Sequence, residues 1–136
     1  MKKLLWSTVV AMTLMVSCND KEESSKMKEV MAVHDEVMPK MGKLGKLVGE
    51  LKAKENDSTE MGATYKKARV DLQEANEEMM DWMQNFGDRF TPDEILNGAE
   101  LSEEKLAWLD EEEKKMKALR DKINKRLAIG DSLLGN

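Results

Sequence analysis

Apolar residues recur at alternating intervals of three and four in three separate stretches of this chain, and no other feature limits its fold as strongly. The first series is Met27, Val30, His34, Val37, Met41, Leu44, Val48 and Leu51. The second is Met61, Tyr65, Ala68, Leu72, Ala75, Met79, Trp82 and Phe86. The third is Leu109, Met116, Leu119, Ile123 and Leu127, with Glu112 standing where an apolar residue is due. This spacing lays one apolar stripe along each of three helices, and such a stripe must be buried against a neighbour. Aromatic residues are 4% of the chain, charged residues 36%, and Pro39 and Pro92 are the only prolines. That profile suits helices and leaves little material for a sheet.

Local signals divide the stretches. The first helix is expected over 25–54, kinked at Pro39, which has no N–H for the Asp35 carbonyl. Asp57 and Glu60 have capping-box spacing at the start of the second helix, and Gly87 is placed to cap its end. Thr91-Pro92-Asp93-Glu94 reads as a cap, a first-turn proline and an acidic first turn, predicting a short helix stopped by Gly98. The last long helix starts after Ser102, with Leu101 and Leu106 spaced as a hydrophobic staple. The expected fold is all-α: an up-down-up antiparallel three-helix bundle over 26–136, with heptad seams and a short extra helix in the second connection. An extended coiled coil that self-assembles through the same seams, as a spacer, is the rival.

The first residues carry a different pattern. Lys2 and Lys3 precede an apolar run over 4–16, too short to span a bilayer and of the length of a signal-peptide core. The run ends in Leu14-Met15-Val16-Ser17-Cys18, which resembles a bacterial lipobox, with Met15 where Leu or Val is commoner. Residues 1–17 are therefore expected to be a cleaved signal peptide, and Cys18, the only cysteine, the site of lipid attachment. Residues 18–25 are expected to be a flexible tether. Their acidic run looks like the export signal of some surface lipoproteins, and equally like an ordinary solvated linker.

The charges are unevenly spread. In the expected topology the anchor-proximal half takes 18–38 and 74–113, with 20 acidic and 5 basic residues, and the distal half takes 39–73 and 114–136, with 7 acidic and 15 basic. The second helix runs basic to acidic, against its own macrodipole, so helical stability does not account for its layout. Lys66, Lys67, Lys122, Lys125 and Arg126 are thus candidates for binding an anionic envelope partner at a basic tip. The alternative is that opposite fields set the register of neighbouring helices. Overall acidity and the lack of interleaved aromatics argue against nucleic acid.

His34 is the only histidine, and by counting residues it lies about level with Glu112. A buried His34–Glu112 pair would explain both polar seam positions. The sharper alternative is a copper site made of His34, Met38 and Met41 on one helix, completed by Met79, Met83 and Trp82, because thioethers favour Cu(I). No phosphate-binding loop, zinc-type spacing or nucleophile elbow is present, so neither catalysis nor a cofactor is expected.

Residues 27–41 (MKEVMAVHDEVMPKM) and 79–86 (MMDWMQNF) resemble a set of small Bacteroidota lipoproteins, some of which carry the automatic name "viral A-type inclusion protein". The resemblance covers most of the chain after Cys18. It implies a helical lipoprotein of the cell envelope, at the outer membrane, and carries over no reaction, ligand or active site. The expectation is a non-enzymatic, membrane-tethered interaction module.

Overall fold

A computed structural model describes the backbone of residues 19–136 and the side chains of residues 25–136. The expected signal peptide and Cys18 lie outside the described residues. Five helical segments follow one another: α1 (Asn19–Val37), α2 (Lys40–Lys54), α3 (Glu60–Arg89), α4 (Pro92–Leu96) and α5 (Glu103–Leu134). No strand occurs among the described residues, and none of their helices is long and apolar enough to cross a membrane.

The first expected helix is two segments. Pro39 cannot donate to Asp35, the Met38 amide still reaches the His34 carbonyl at 3.0 Å, and the Met41 amide turns back to Met38 at 3.1 Å. Pro39 thus ends one helix and opens the next within a single turn. α1 begins earlier than expected, at Asn19, so the stretch read as a flexible tether is helical from its second residue. No glycine or proline in 19–25 interrupts it.

α3 starts two residues later than the Asp57 cap would place it. Thr59 is the N-cap, its hydroxyl accepting from the Gly62 amide at 3.0 Å. Gly62 is fully enclosed there, since a Cβ at that position would stand 2.2 Å from the Asn56 carbonyl oxygen. At its other end α3 runs straight through Gly87 to Arg89. The extra turn buries Phe90 and sets it, tilted by 39°, against Phe86, which in turn stacks on Trp82, each ring centroid 4.8 Å from the next. Burial of that ring outweighs the roughly 1 kcal/mol that a mid-helix glycine costs. α4 has the expected capping box between Thr91 and Glu94, and Gly98 leaves it at φ 69°. Ser102 caps α5, and Leu101 and Leu106 both pack on the core.

Cross-helix pairs fix the directions. α1 and α2 meet α5 through Lys26–Asp110, Glu36–Arg120 and Lys40–Asn124, each 84 residues apart, and through Glu29–Lys117 and Lys43–Asp131, each 88 apart. A constant difference means that these helices run the same way. α3 meets α5 through Arg89–Glu112, Glu78–Lys122 and Asp71–Arg126, whose numbers rise on one side as they fall on the other, so α3 runs against both.

The core follows the seams with exceptions: Met61, at the start of the second series, is 56% exposed, and Met41 and Tyr65 are only partly buried. Val30, Val37, Leu44 and Leu51 are buried as expected, but Val33 and Leu47 take the burial assigned to His34 and Val48, which are only half-buried. A helix between two neighbours needs a wide stripe: Leu47 lies on the α5 side, against Gly130, while His34 lies on the α3 side, against Trp82.

Two glycine substitutions should separate these roles in thermal melts. Gly87→Ala, with nothing within 4 Å of its added Cβ, is expected to stabilise by about 0.5–1 kcal/mol. Gly62→Ala is expected to destabilise by about 1–3 kcal/mol, because the atom in its way is backbone.

Candidate functional site

The chain's most demanding local structure is Glu112, with 0% exposure near the start of the α5 seam. Its expected partner was His34, and that pair is not formed. The offset of 84 between α1 and α5 puts Glu112 level with Lys28, and six further residues carry His34 about 9 Å beyond it. Instead Glu112 Oε1 accepts from Arg89 Nη1 at 2.9 Å and from Lys115 Nζ at 2.9 Å. Arg89 also donates to Glu111 at 3.0 Å, and its guanidinium lies over the Trp108 ring, 5.2 Å from the centroid. Glu112 Oε2 is buried with no hydrogen-bond partner among the described residues. Arg89 was missed at the sequence level. The available signal was that it is the one basic residue between residues 74 and 104.

His34 sits in a different setting. Its side chain is 14% exposed, its Nδ1 is 3.0 Å from Asp35 Oδ1, and its ring stacks on Trp82 at 5.7 Å between centroids. Met31 falls one turn before it on α1, Met38 one turn after it just past the end of that helix, and Met83 follows Trp82 on α3; all three are partly buried against the core. Met79 is fully buried. Met41 lies past the Pro39 break, about 10 Å along the axis from His34, so the expected His34–Met38–Met41 set is not brought to one point. Among the described residues no group of three or more His, Cys, Asp or Glu side chains is placed to hold a metal ion.

The five expected tip cations are mostly engaged within the chain. Lys66 holds Asp57, Lys67 and Arg126 share Asp71, and Lys122 holds Glu78. Lys125 alone of the five has no partner among the described residues. The observed register also redraws the charge map. A plane through Met38, Glu78 and Lys122 leaves 18 acidic and 9 basic residues on the Asn19 side, and 9 acidic and 11 basic on the other. The acidic end is retained. The basic end is nearly neutral, because Lys114, Lys115, Lys117 and Arg120 lie beside the acidic residues of α1 and not beyond them.

Several surface carboxylates are held below their ordinary range. Hydrogen bonds from Lys52 and then Arg69 do this to Glu55, and Lys26 does it to Asp110. Burial works to raise Glu94, but its bonds with Lys105 and Thr91 outweigh that and leave it lowered.

No family model matches the chain, and no curated protein and no solved structure matches it.

Arg89→Ala should cost about 1–3 kcal/mol in urea melts, since it strips a buried carboxylate of its main partner. Adding Glu112→Leu should restore most of that loss, because the buried charge is then gone. In acid, the depressed carboxylates bind more protons in the unfolded chain than in the folded one. Stability is therefore expected to be level from neutral pH down to about 5, and to fall below about 4.5 as Glu55, Glu94 and Asp110 protonate. Lys105→Met should flatten part of that fall, measured as the urea midpoint against pH.

Proposed function

We propose that this chain is an up-down-up three-helix bundle of the cell envelope, carried on a lipid at Cys18 and acting as a non-enzymatic interaction module. The observation that carries the reading is the position of the bundle's first residue. Asn19 directly follows Cys18, is already helical, and by the offset of 84 stands level with Glu103, at the end occupied by α4. A lipid on Cys18 would then join the bundle without a flexible spacer, and the α2–α3 turn would be the point farthest from the membrane.

The charge arrangement supports the same orientation. Of the carboxylates without a cationic partner among the described residues, Glu60, Glu74 and Glu77 lie on the far side, and Asp81, Asp88, Asp93, Glu100, Glu103 and Glu104 on the anchor side. An anionic lipid surface repels that end and favours an upright bundle. At the far end, exposed ion pairs such as Lys66–Asp57 are worth roughly 0–1 kcal/mol, so an anionic partner can exchange for the internal acid at little cost.

The anchor is tested by labelling cells with a fatty acid. The intact chain should take up label and sediment with membranes, whereas Cys18→Ala should do neither. A Cys18→Ala chain that still sediments would remove the anchor from this reading. Crosslinking on intact cells then reports the partner. Capture that is indifferent to salt and to Lys/Arg→Glu changes at Lys66, Lys67, Lys122, Lys125 and Arg126 would exclude the charged tip as the binding surface.

A further inference from the structure

α2 and α3 lie close along their length, whereas the backbones of α1 and α3 hardly approach one another. Large side chains fill the wider space between α1 and α3, and their chemistry is unusual. On α1, His34 lies on the flank facing α3, as its stacking on Trp82 shows. Met38 stands one turn further along that flank, at the spacing that brings i and i+4 side chains together. On α3, Met83 belongs to the flank that carries Tyr65 and Arg69, whose contacts with Lys54 and Glu55 show that it faces the α1–α2 side.

The histidine is prepared in a particular way. With Nδ1–H donated to Asp35 Oδ1 at 3.0 Å, the lone pair is on Nε2, which has no hydrogen-bond partner among the described residues. A carboxylate behind the imidazole is the usual support of a metal-ligating histidine: it fixes the tautomer and raises the basicity of the other nitrogen. Met38 and Met83 bring thioethers to the same two flanks, and thioethers suit Cu(I) and not zinc or the hard cations. The Trp82 face closes one side and offers π-electron density to a cation.

We propose that the space between α1 and α3 binds one Cu(I) ion through His34 Nε2 and the sulfurs of Met38 and Met83, with Asp35 as the positioning residue. The site does not depend on the lipid anchor or on the charged tip.

The test is anaerobic titration of the full chain with Cu(I) against a chromophoric Cu(I) chelator, read together with tryptophan fluorescence. One equivalent should be retained, with quenching that Trp82→Phe removes. Met38→Leu and Met83→Leu keep side-chain volume and should each weaken binding at least tenfold, while His34→Ala should abolish it. Asp35 is 72% exposed, so Asp35→Asn should leave the fold intact and weaken binding by about 10–100-fold. Cys18→Ser should bind as the parent does. Failure to retain one equivalent, equal binding by the Met38→Leu, Met83→Leu and Asp35→Asn chains, or loss of binding in Cys18→Ser would overturn the proposal. Circular dichroism of each variant separates lost binding from lost fold.

Discussion

A carboxylate sealed inside an apolar seam permits one arrangement of its surroundings. Glu112 is held by Arg89 from α3 and by Lys115 from its own helix, and the rest of its neighbourhood is side chains of the core. Sliding α3 along α5 by one turn would draw the guanidinium about 5.4 Å away and leave a buried charge with one partner. Apolar stripes alone tolerate such slippage, since one heptad of methionine, leucine and alanine packs much like the next. The polar position makes the alignments unequal. Trp108 adds to this by lying under the same guanidinium, so a single side chain at the end of α3 ties down Trp108, Glu111 and Glu112 of α5.

That alignment propagates outwards. With α3 registered against α5, Glu78 meets Lys122 and Asp71 meets Arg126. With α1 and α2 registered in parallel, Lys26, Glu36 and Lys40 find partners at a constant offset along α5. The individual exposed pairs are weak. They run along two seams, one between α1–α2 and α5 and one between α3 and α5. Because α3 runs against α5, its basic-to-acidic order sets its basic end beside the basic end of α5 and its acidic end beside the acidic end. Arg89–Glu112, Glu78–Lys122 and Asp71–Arg126 are places where single residues reverse that trend. Neither the helix macrodipole nor end-to-end pairing with α5 accounts for the direction of the charges on α3.

Pro39 has the second far-reaching effect. By ending α1 and opening α2 within one turn it lets α2 lie close to α3 while α1 keeps its distance. The separation is filled by His34, the Trp82–Phe86–Phe90 stack and flanking methionines. Methionine suits such a space because its unbranched thioether adapts to an irregular gap. The same property leaves soft donors beside an imidazole whose tautomer Asp35 sets.

Much of this was legible in the order of residues. The three helical stripes, a disturbance at Pro39 (read as a kink and found as a break), the short capped helix after Thr91 and the start after Ser102 are consequences of spacing, of a missing N–H and of side chains that cap their own backbone. These are local effects, and local sequence contains them. The Asp57 cap lost to a local rival, Thr59, whose hydroxyl accepts from the Gly62 amide, whereas the Gly87 cap failed for a non-local reason, since Phe90 had a pocket to enter. The same holds for the polar residues. Sequence alone determined that Glu112 must sit in a seam and must find a partner there. Only the tertiary structure decided that the partner is Arg89 and not His34, because partner choice depends on the relative heights of helices, and a shift of six residues is invisible until the interhelical register is set.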